Sequence, residues 1–414
     1  MPVNKIWKDG KTMGLVVQKY GGTSVRDAER VMNVARRITD VYKAGNDVVV
    51  AVSAQGDTTD DLIEKAKEIN PNASKREMDM LLATGEQISI SLLAMAIEKL
   101  GYPVISLTGW QAGMKTDTRY SNARIKSIDT ERIRTELDRK RIIIVAGFQG
   151  IDKYDDITTL GRGGSDTSAV ALAAALHADV CEIYTDVDGV YTTDPRICKT
   201  AYKLDDISYD EMLELASLGA NVLHNRSVEM AKKYNVKLSV RSSLNNNEGT
   251  YVKEVEHVEK MLVRGVTRDN DVARIALCGV EDTPGKAFSV FQMIAKNGVS
   301  VDLIIQSIGN EGKKDISFTV TEGDLEKTLA LLEENKAVIK YQEIKWTKDV
   351  SKVSIVGAGM VNNSGVAATM FEALYNAQIN ISMIATSEIK ISVLVDQKDA
   401  ERAVVAIHDK FLLN

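Results

Sequence analysis

Short apolar segments alternate with amphipathic segments from Leu15 to about Val252. Several of the apolar segments are apolar almost throughout, as in strands that are covered on both faces. In chain order they read GLVVQKY, DVVVAVSA, YPVISL, RIIIVAGF, VCEIYTDV and VKLSV. The pattern between them predicts helices, notably RDAERVMNVARRITDVYKAG and MDMLLATGEQISISLLAMAIEKLG. This alternation predicts an α/β domain with a mainly parallel sheet, in which ligands bind beyond the carboxyl ends of the strands.

The pattern changes after Leu262, where a segment is repeated. TPGKAFSVFQMIAKNGVSVDLIIQS (283–307) aligns with NSGVAATMFEALYNAQINISMIATS (363–387), so that Gly285 and Gly365 lie 80 residues apart. A predicted strand precedes each copy, and a strand and a helix follow it. Each unit therefore predicts strand–helix–strand–strand–helix, a small ferredoxin-like α+β module. Two such modules after an enzyme-sized domain indicate regulation or assembly.

Composition restricts the class of protein. The 414 residues favour two or three domains, and the 44% hydrophobic and 27% charged residues are ordinary for a globular protein. A formal net charge of −6 argues against nucleic-acid binding. The sequence shows neither an apolar run of membrane-spanning length nor the apolar core of a signal peptide. The cysteines and histidines are few and scattered, so we expect neither a disulfide framework nor a metal cluster. Together these features predict a cytoplasmic protein without a membrane partner.

Two glycine-rich loops are candidate anion sites. In QKYGGTSV (18–25), Lys19 ends a predicted strand, and two glycines make a tight turn before a helix. In TLGRGGSD (159–166), Arg162 lies among three glycines at the start of an alanine-rich helix. Backbone N–H groups at a helix N-terminus, together with a nearby cation, bind phosphate. Either loop alone also fits an ordinary turn with a helix cap, but both in one α/β domain indicate phosphate chemistry.

Two further features could contribute to a site. YTDVDGVYTTDPR (184–196) collects polar groups around Tyr191 and suits either a hairpin-like loop or contacts to the base and ribose of a nucleotide. Glu86 follows a glycine inside the apolar helical segment LLATGEQIS. Its carboxylate belongs either to a solvated helix face or to a site in which it would hold an ammonium group.

Taken together, KYGGTSV, SAQGDTTDDL, GRGGSD and YTDVDGVYTTDPR, in this order and ahead of two small repeats, resemble the aspartate kinases. The resemblance runs from about Leu15 to the C-terminus. It implies an amino-acid-kinase-type α/β domain with a mainly parallel sheet, followed by two ferredoxin-like (ACT) α+β modules. The expected boundaries are 1–255 for the kinase domain and 256–345 and 346–414 for the ACT modules. These boundaries are approximate, and interleaving of the two modules stays open.

The resemblance also implies the reaction. ATP, with Mg²⁺, and L-aspartate would give 4-phospho-L-aspartate and ADP, the first step of lysine, threonine and methionine biosynthesis. The substrate carboxylate is ionised at neutral pH, so no general base is required. Lys19 would act on the phosphates and Asp166 would order the catalytic centre, while Arg162 would hold the α-carboxylate of aspartate and Glu86 its ammonium. The remaining substrate positions are Ser53, Thr59 and Ser165, and the ATP positions are Lys19, Tyr20, Gly21, Gly22, Gly163, Gly164, Thr185, Asp186, Tyr191 and Arg196.

The ACT modules imply regulation and assembly. Modules of this family pair between chains and bind amino acids in the seams, which implies a homodimer or a higher oligomer with lysine and/or threonine as effectors. Asp282 and Asp302 would suit a cationic effector, and lysine is therefore the leading candidate. The full set of positions matched to effector binding is Asp282, Gly285, Ala287, Asp302, Gln306, Asn380, Ile381 and Ser387.

Two residues and two alternatives qualify this interpretation. Asn221 stands where the family commonly has a lysine associated with ATP. Met261, where the repeats begin, fits either an internal start that yields a shorter regulatory subunit or an ordinary interior methionine. Another amino-acid kinase, acting for example on glutamate or carbamate, is an alternative within the enzymes. A catalytically weak amino-acid sensor is an alternative of a different class, and Asn221 is the feature that favours it.

Overall fold

The computed structural model describes residues 14–219, 222–254, 262–307, 312–360, 363 and 365–412. These residues divide into two compact units. The first unit comprises 14–190, Lys203–Ala216 and 222–254, and the second comprises Tyr191–Tyr202, 217–219 and the described residues from 262 onward.

The first unit has the predicted alternation of strands and helices. Its strands are β1 (Leu15–Tyr20), β2 (Asp47–Val52), β3 (Val104–Leu107), β4 (Met114–Thr116), β5 (Ile125–Ile128), β6 (Ile142–Ala146), β7 (Gln149–Ile151), β8 (Ile157–Thr159), β9 (Val180–Thr185), β10 (Asp206–Ile207), β11 (Leu238–Ser242) and β12 (Thr250–Val252). Its helices are α1 (Ala28–Lys43), α2 (Thr58–Ile69), α3 (Lys75–Lys99), α4 (Glu131–Asp138), α5 (Gly164–Leu176), α6 (Tyr209–Ser217) and α7 (Asn225–Tyr234).

An eight-stranded sheet in the order β10-β12-β11-β9-β1-β2-β6-β3 forms the centre of this unit. Its neighbouring strands are parallel except for the β11–β12 pair, which confirms the predicted parallel sheet. Helices α1 and α3 share an apolar cluster with one face, and α5, which contacts β1, β2 and β9, covers the other. The carboxyl ends of β1, β2 and β9 therefore meet beside the N-terminus of α5. A smaller sheet, β5-β4-β7-β8, was not predicted because its strands MKT, IKSI, QGI and ITT contain no continuous apolar segment.

Helix α3 carries the glycine that looked out of place in the sequence. A Cβ at Gly85 would lie 2.9 Å from the Cβ of Ala54, so the glycine allows α3 to approach the loop after β2. By length and composition, α3 is the helix of the described ranges that could cross a membrane. Half of its apolar window is buried inside the structure, as is common for a core helix.

The second unit contains the repeat. Its strands are β13 (Gly265–Asp269), β14 (Ala273–Glu281), β15 (Ile304–Gln306), β16 (Lys313–Val320), β17 (Glu343–Thr347), β18 (Val350–Val356), β19 (Met383–Thr386) and β20 (Lys390–Asp396). Its helices are α8 (Lys286–Lys296), α9 (Leu325–Glu334), α10 (Lys336–Ile339), α11 (Val366–Asn376) and α12 (Ala400–Leu412). Gly285 (φ 92°) and Gly365 (φ 99°) precede α8 and α11 in the same left-handed conformation, as expected for repeated modules.

Two antiparallel sheets, ordered β15-β16-β14-β17 and β13-β18-β20-β19, carry the two modules. The predicted order of strand, helix, strand, strand and helix is confirmed in both. Strand β13 precedes the first module in the chain but pairs with β18, so the second sheet contains strands from both sides of the first module. An apolar cluster joins residues of both modules: Val272, Leu303, Val350, Met383 and Leu394.

Candidate active site

A cavity of about 260 Å³ lies where β1 and β2 end and α5 begins. Ten of the residues predicted for catalysis, substrate or ATP line it, which is the arrangement expected beyond the carboxyl ends of parallel strands. The full lining is Lys19, Gly22, Ser53, Ala54, Gly56, Thr59, Glu86, Phe148, Gly161, Arg162, Gly163, Gly164, Ser165 and Asp166.

The two predicted catalytic residues form an ion pair in this cavity. The Nζ of Lys19 lies 2.7 Å from Oδ1 of Asp166, and the side chains are only 13% and 12% exposed. Lys19 comes from β1, and Asp166 lies in the first turn of α5, where the helix dipole favours a negative charge. The ammonium is therefore positioned by the protein before any substrate anion enters.

The glycines of the second loop allow close packing at the start of α5. Gly163 has a φ of 68°, and a Cβ there would lie 2.2 Å from Cγ of His224. A Cβ at Gly164 would lie 2.7 Å from the ring of Phe148. No side chain caps α5, and the backbone of its first turn lies at the cavity together with Ser165 and Asp166. Backbone of this kind binds phosphate oxygens, and the residues present fit the phosphates of ATP.

Arg162 and Glu86 bring opposite charges to the same cavity. Arg162 is exposed and has no ion-pair partner within the described residues, so its guanidinium is available to an anion. Glu86 is only 3% exposed; its Oε1 accepts a hydrogen bond from the N–H of Ala54 at 3.0 Å, and its Oε2 has no partner among the described residues. Burial raises the pKa of Glu86 to about 8, although the hydrogen bond from Ala54 acts to lower it. A substrate ammonium would stabilise its ionised form.

The sequence interpretation missed two residues of this site. Phe148 lines the cavity and has a φ of 66°, a conformation rare for a residue other than glycine. His224 packs on Gly163, and its Nδ1 is buried without a hydrogen-bond partner in the described ranges. Burial lowers the pKa of His224. The carboxylate of Asp166 acts to raise that pKa, whereas the guanidinium groups of Arg226 and Arg162 lower it further. Phe148 could have been predicted as a site residue, because it follows the end of the parallel strand β6. His224 could not, because it reaches the glycine loop through tertiary packing.

Other predicted ATP residues of the first unit do not line the cavity. The side chain of Tyr20 is fully buried on the opposite face of the sheet, where its ring stacks on that of Tyr184 with centroids 4.7 Å apart. Gly21 follows β1 and donates its N–H to the carbonyl of Tyr184 at 3.4 Å. Thr185 ends β9 and Asp186 follows it, and the Thr185 hydroxyl donates to the Asp186 carboxylate at 3.0 Å.

Tyr191 and Arg196 belong to the second unit. Their segment, Tyr191–Tyr202, is connected to α12 through His408, whose Nε2 lies 2.9 Å from the Thr192 hydroxyl. Arg196 is 89% exposed and pairs with Asp194 at 2.8 Å. Their assignment to ATP stays a prediction.

The predicted effector positions lie at the ends of ACT strands and helices. Asp282 pairs with Lys314 at 2.7 Å, and Asp302 pairs with Lys352 at 2.5 Å, so both carboxylates already hold an ammonium group of the chain itself. Gly285 and Ala287 lie at the start of α8, and Gln306 ends β15. Asn380 and Ile381 lie between α11 and β19, and Ser387 follows β19. Asn221 and Met261 lie outside the described residues.

Comparison with known proteins agrees with this arrangement. The amino acid kinase family matches residues 14–242, and the ACT domain matches 275–335 and 353–411. The aspartokinase of Bacillus sp. (strain MGA3) is 53% identical over 97% of this chain and 98% of its own length. The structure of E. coli aspartokinase III with aspartate and ADP (R-state) has a TM-score of 0.79 and 26% identity over 97% of this chain and 100% of its own.

The structure of the same E. coli enzyme with lysine and aspartate (T-state) has a TM-score of 0.76, with 26% identity over 96% of this chain and 99% of its own. The family matches and the relatives cover both units. The glycine loops, the paired Lys19 and Asp166 and the duplicated modules all lie within the matched ranges. By these findings, the chain belongs to the aspartokinases of the amino acid kinase family.

Proposed function

We propose that this aspartokinase transfers the γ-phosphate of ATP to the side-chain carboxylate of L-aspartate, giving 4-phospho-L-aspartate and ADP. The observation that carries the proposal is the grouping of Lys19, Asp166, Arg162 and Glu86 around one cavity beside the N-terminus of α5. Their charges complement a phosphate, an α-carboxylate and an α-ammonium, the groups that ATP and aspartate would bring together.

The chemistry requires the enzyme to bring two anions together. The attacking group is the ionised carboxylate of aspartate, so no residue has to remove a proton from it. Lys19 would move from Asp166 to the transferring phosphoryl group and would neutralise charge that grows in the transition state. The backbone of Gly163 and Gly164 would contact the phosphates. Mg²⁺ would be held mainly by phosphates and water, and when bound it would supply further neutralisation of phosphate charge.

Aspartate would be held by its backbone groups, leaving its side chain for reaction. Arg162 would bind the α-carboxylate, ideally through two parallel hydrogen bonds. Glu86 would bind the α-ammonium, with Ser53, Thr59 and Ser165 as hydrogen-bonding groups around the substrate. Two opposite charges at a fixed spacing would favour one orientation of the amino acid.

A coupled ADP-release assay tests the reaction. With ATP and Mg²⁺, we expect turnover with aspartate and little with glutamate, whose extra methylene displaces its carboxylate from the phosphoryl group. Removal of Mg²⁺ by a chelator should stop the reaction. Equal turnover with glutamate would reject the substrate assignment, and no turnover with either would reject the kinase activity.

We also propose feedback by lysine and/or threonine through the ACT modules of an oligomer, with the product entering the biosynthesis of lysine, threonine and methionine in the cytoplasm. The lysine-bound E. coli relative supports an amino-acid effector. An effector lysine would have to exchange with the ammonium groups that now hold Asp282 and Asp302. Asp302→Asn should relieve lysine inhibition and Ser387→Ala should relieve threonine inhibition, without lowering uninhibited kcat. Absence of inhibition of the wild-type enzyme by millimolar lysine and threonine, separately and together, would contradict this part.

A further inference from the structure

The side chains of Cys198, His408 and Asp409 form a cluster within the second unit. Cys198 belongs to the segment Tyr191–Tyr202, whereas His408 and Asp409 lie on α12. Cys198 and His408 are 210 residues apart in the chain, so their spacing in the sequence predicted no metal cluster. Each of the three side chains offers one atom that can ligate a metal, and these atoms all lie within 4.8 Å of one another.

The distances between these atoms match those between the ligands of a tetrahedral zinc ion. Sγ of Cys198 lies 3.5 Å from Nδ1 of His408. That nitrogen lies 3.5 Å from Oδ1 of Asp409. Zinc bonds of about 2.3 Å to sulfur and about 2.0–2.2 Å to nitrogen or oxygen place tetrahedral ligands roughly 3.3–3.6 Å apart. One ion therefore fits among the three atoms with little movement of the side chains.

The hydroxyl of Thr200 lies at the fourth corner of this arrangement. Its Oγ1 is 3.0 Å from Sγ of Cys198 and 3.0 Å from Oδ1 of Asp409. It is 3.4 Å from Nδ1 of His408. Structural zinc sites are almost always four-coordinate, and a neutral oxygen at this corner completes that number without adding charge.

A second hydrogen bond orients the His408 ring for coordination through Nδ1. The ring is fully buried, and its Nε2 lies 2.9 Å from Oγ1 of Thr192. The same hydroxyl oxygen accepts a hydrogen bond from the N–H of Tyr202 at 3.2 Å, and its other lone pair can accept one from Nε2–H. Histidines that bind a metal through one ring nitrogen almost always donate the hydrogen of the other in this way.

Burial, charge and ligand type favour Zn²⁺ over the other common divalent cations. Cys198 is 2% exposed and His408 is 0% exposed. A thiolate and a carboxylate carry two negative charges, which balance one divalent cation, and charges buried in proteins are usually paired or bound to a metal. Mg²⁺ and Ca²⁺ prefer sites built from oxygen ligands, whereas thiolate and imidazole suit zinc.

We propose that Cys198, His408 and Asp409 bind one Zn²⁺ ion, which links the segment Tyr191–Tyr202 to α12. Binding forms a sulfur–zinc bond and releases the proton of the Cys198 thiol to water. The link would add to the contact between Thr192 and His408 that already connects these parts of the second unit. The ion takes no part in the proposed phosphoryl transfer, so its binding is measured without ATP or aspartate.

The test uses the full chain, stripped of metal with a chelator and then titrated with Zn²⁺ against a chromogenic competitor. Cys198→Ser removes the sulfur ligand, and Asp409→Asn removes the charge of the carboxylate. Cys278→Ser is the matched control, because Cys278 lies on β14 and outside this cluster. We expect one Zn²⁺ per chain, bound at least about 100-fold more weakly by Cys198→Ser and at least about tenfold more weakly by Asp409→Asn. The affinity of Cys278→Ser should change less than about twofold.

Co²⁺ serves as a second probe, because a cobalt–thiolate bond gives a charge-transfer band in the near ultraviolet. We expect this band in the wild type and in Cys278→Ser, and its loss in Cys198→Ser. The residues that line the candidate active-site cavity include no cysteine, so an ion bound there would not produce the band. Zn²⁺ should also raise the melting temperature of the wild type more than that of Asp409→Asn.

The side chain of Asp409 is 44% exposed, so Asp409→Asn keeps the proposal testable if Cys198→Ser does not fold. The proposal is overturned if the metal-free wild type binds no Zn²⁺, or if the affinity is unchanged in Cys198→Ser or in Asp409→Asn. An equal loss of affinity in Cys278→Ser would overturn it as well. A Co²⁺ complex without the thiolate band would mean that the three side chains form only an internal hydrogen-bonded cluster.

Discussion

Two lysine–aspartate pairs, one in each unit, have similar geometry and different surroundings. The pair of Lys19 and Asp166 joins the end of a central strand to the first turn of a helix, beside glycine backbone and a cavity. The pair of Lys352 and Asp302 joins β18 to the segment before β15, next to Leu303 of an apolar cluster, and a second acid, Asp269, shares the ammonium. A short ion pair alone therefore does not identify a catalytic centre. The glycine backbone and the cavity are what support the proposed catalytic role of Lys19 and Asp166.

The largest expected difference between the two pairs is in turnover. Lys19→Met should lower kcat on the order of 10²–10³-fold, because one charge on the developing phosphoryl group is lost. Lys352→Met is the matched control and should leave kcat within about twofold, because its ammonium pairs with two ACT acids, Asp269 and Asp302. Steady-state kinetics at saturating aspartate and ATP measure both. Equal losses of kcat in the two variants would contradict a catalytic role that is specific to Lys19.

A second comparison separates binding from chemistry within the kinase cavity. Arg162→Ala should raise the KM for aspartate about 10- to 150-fold, because a hydrogen bond to a charged group typically contributes a binding free energy of that size. The change in kcat should be smaller. Arg162→Lys keeps the charge but loses the planar fork, so it should recover only part of the affinity. An unchanged KM in Arg162→Ala would assign the α-carboxylate to another residue.

Glu86 should give the kinase unit a pH dependence. Its pKa of about 8 in the folded protein exceeds the ordinary 4.5, so between these values the folded state binds more protons than the unfolded chain. Its contribution to stability is therefore present at low pH and is lost as pH rises toward 8, by up to about 1.4 kcal/mol per pH unit. Urea unfolding at several pH values should show this slope in the wild type and less of it in Glu86→Gln.

The same carboxyl links aspartate binding to protons. Because the substrate ammonium favours the ionised form, binding near pH 7 should release up to about one proton, and Glu86→Gln should abolish the release. Calorimetry in buffers of different ionisation enthalpy measures it. Proton uptake on binding would contradict a contact between Glu86 and the ammonium.

The smallest expected effect concerns stability of the ACT unit. Lys352→Met should destabilise the protein by about 1–2 kcal/mol, because its two acids remain partly exposed and regain some hydration. The midpoint of urea unfolding measures this. Lys345→Met is a control on an exposed pair, and its midpoint should hardly change. A stabilised Lys352→Met would mean that burial of the charge outweighs its pairing.

Much of the lining of the candidate active-site cavity was predictable from the sequence because it is built from strand ends. Lys19, Ser53 and the loop before α5 each adjoin a strand or helix that its own apolar pattern reveals. Parallel strands bring their carboxyl ends to one edge, so these residues meet. Tyr20 shows the limit of that reasoning: it adjoins Lys19 in the sequence, but its side chain lies on the opposite face because strand side chains alternate.

By itself, the sequence determined the α/β class, the duplicated ferredoxin-like modules and the glycine loops, because these depend on local periodicity and on the conformational freedom of glycine. Tertiary structure alone decided which charges meet. It paired Lys19 with Asp166 and Lys352 with Asp302, and it placed His224 on Gly163. Such contacts join residues far apart in the chain, and their energies depend on burial and on neighbouring strands, which local patterns do not encode.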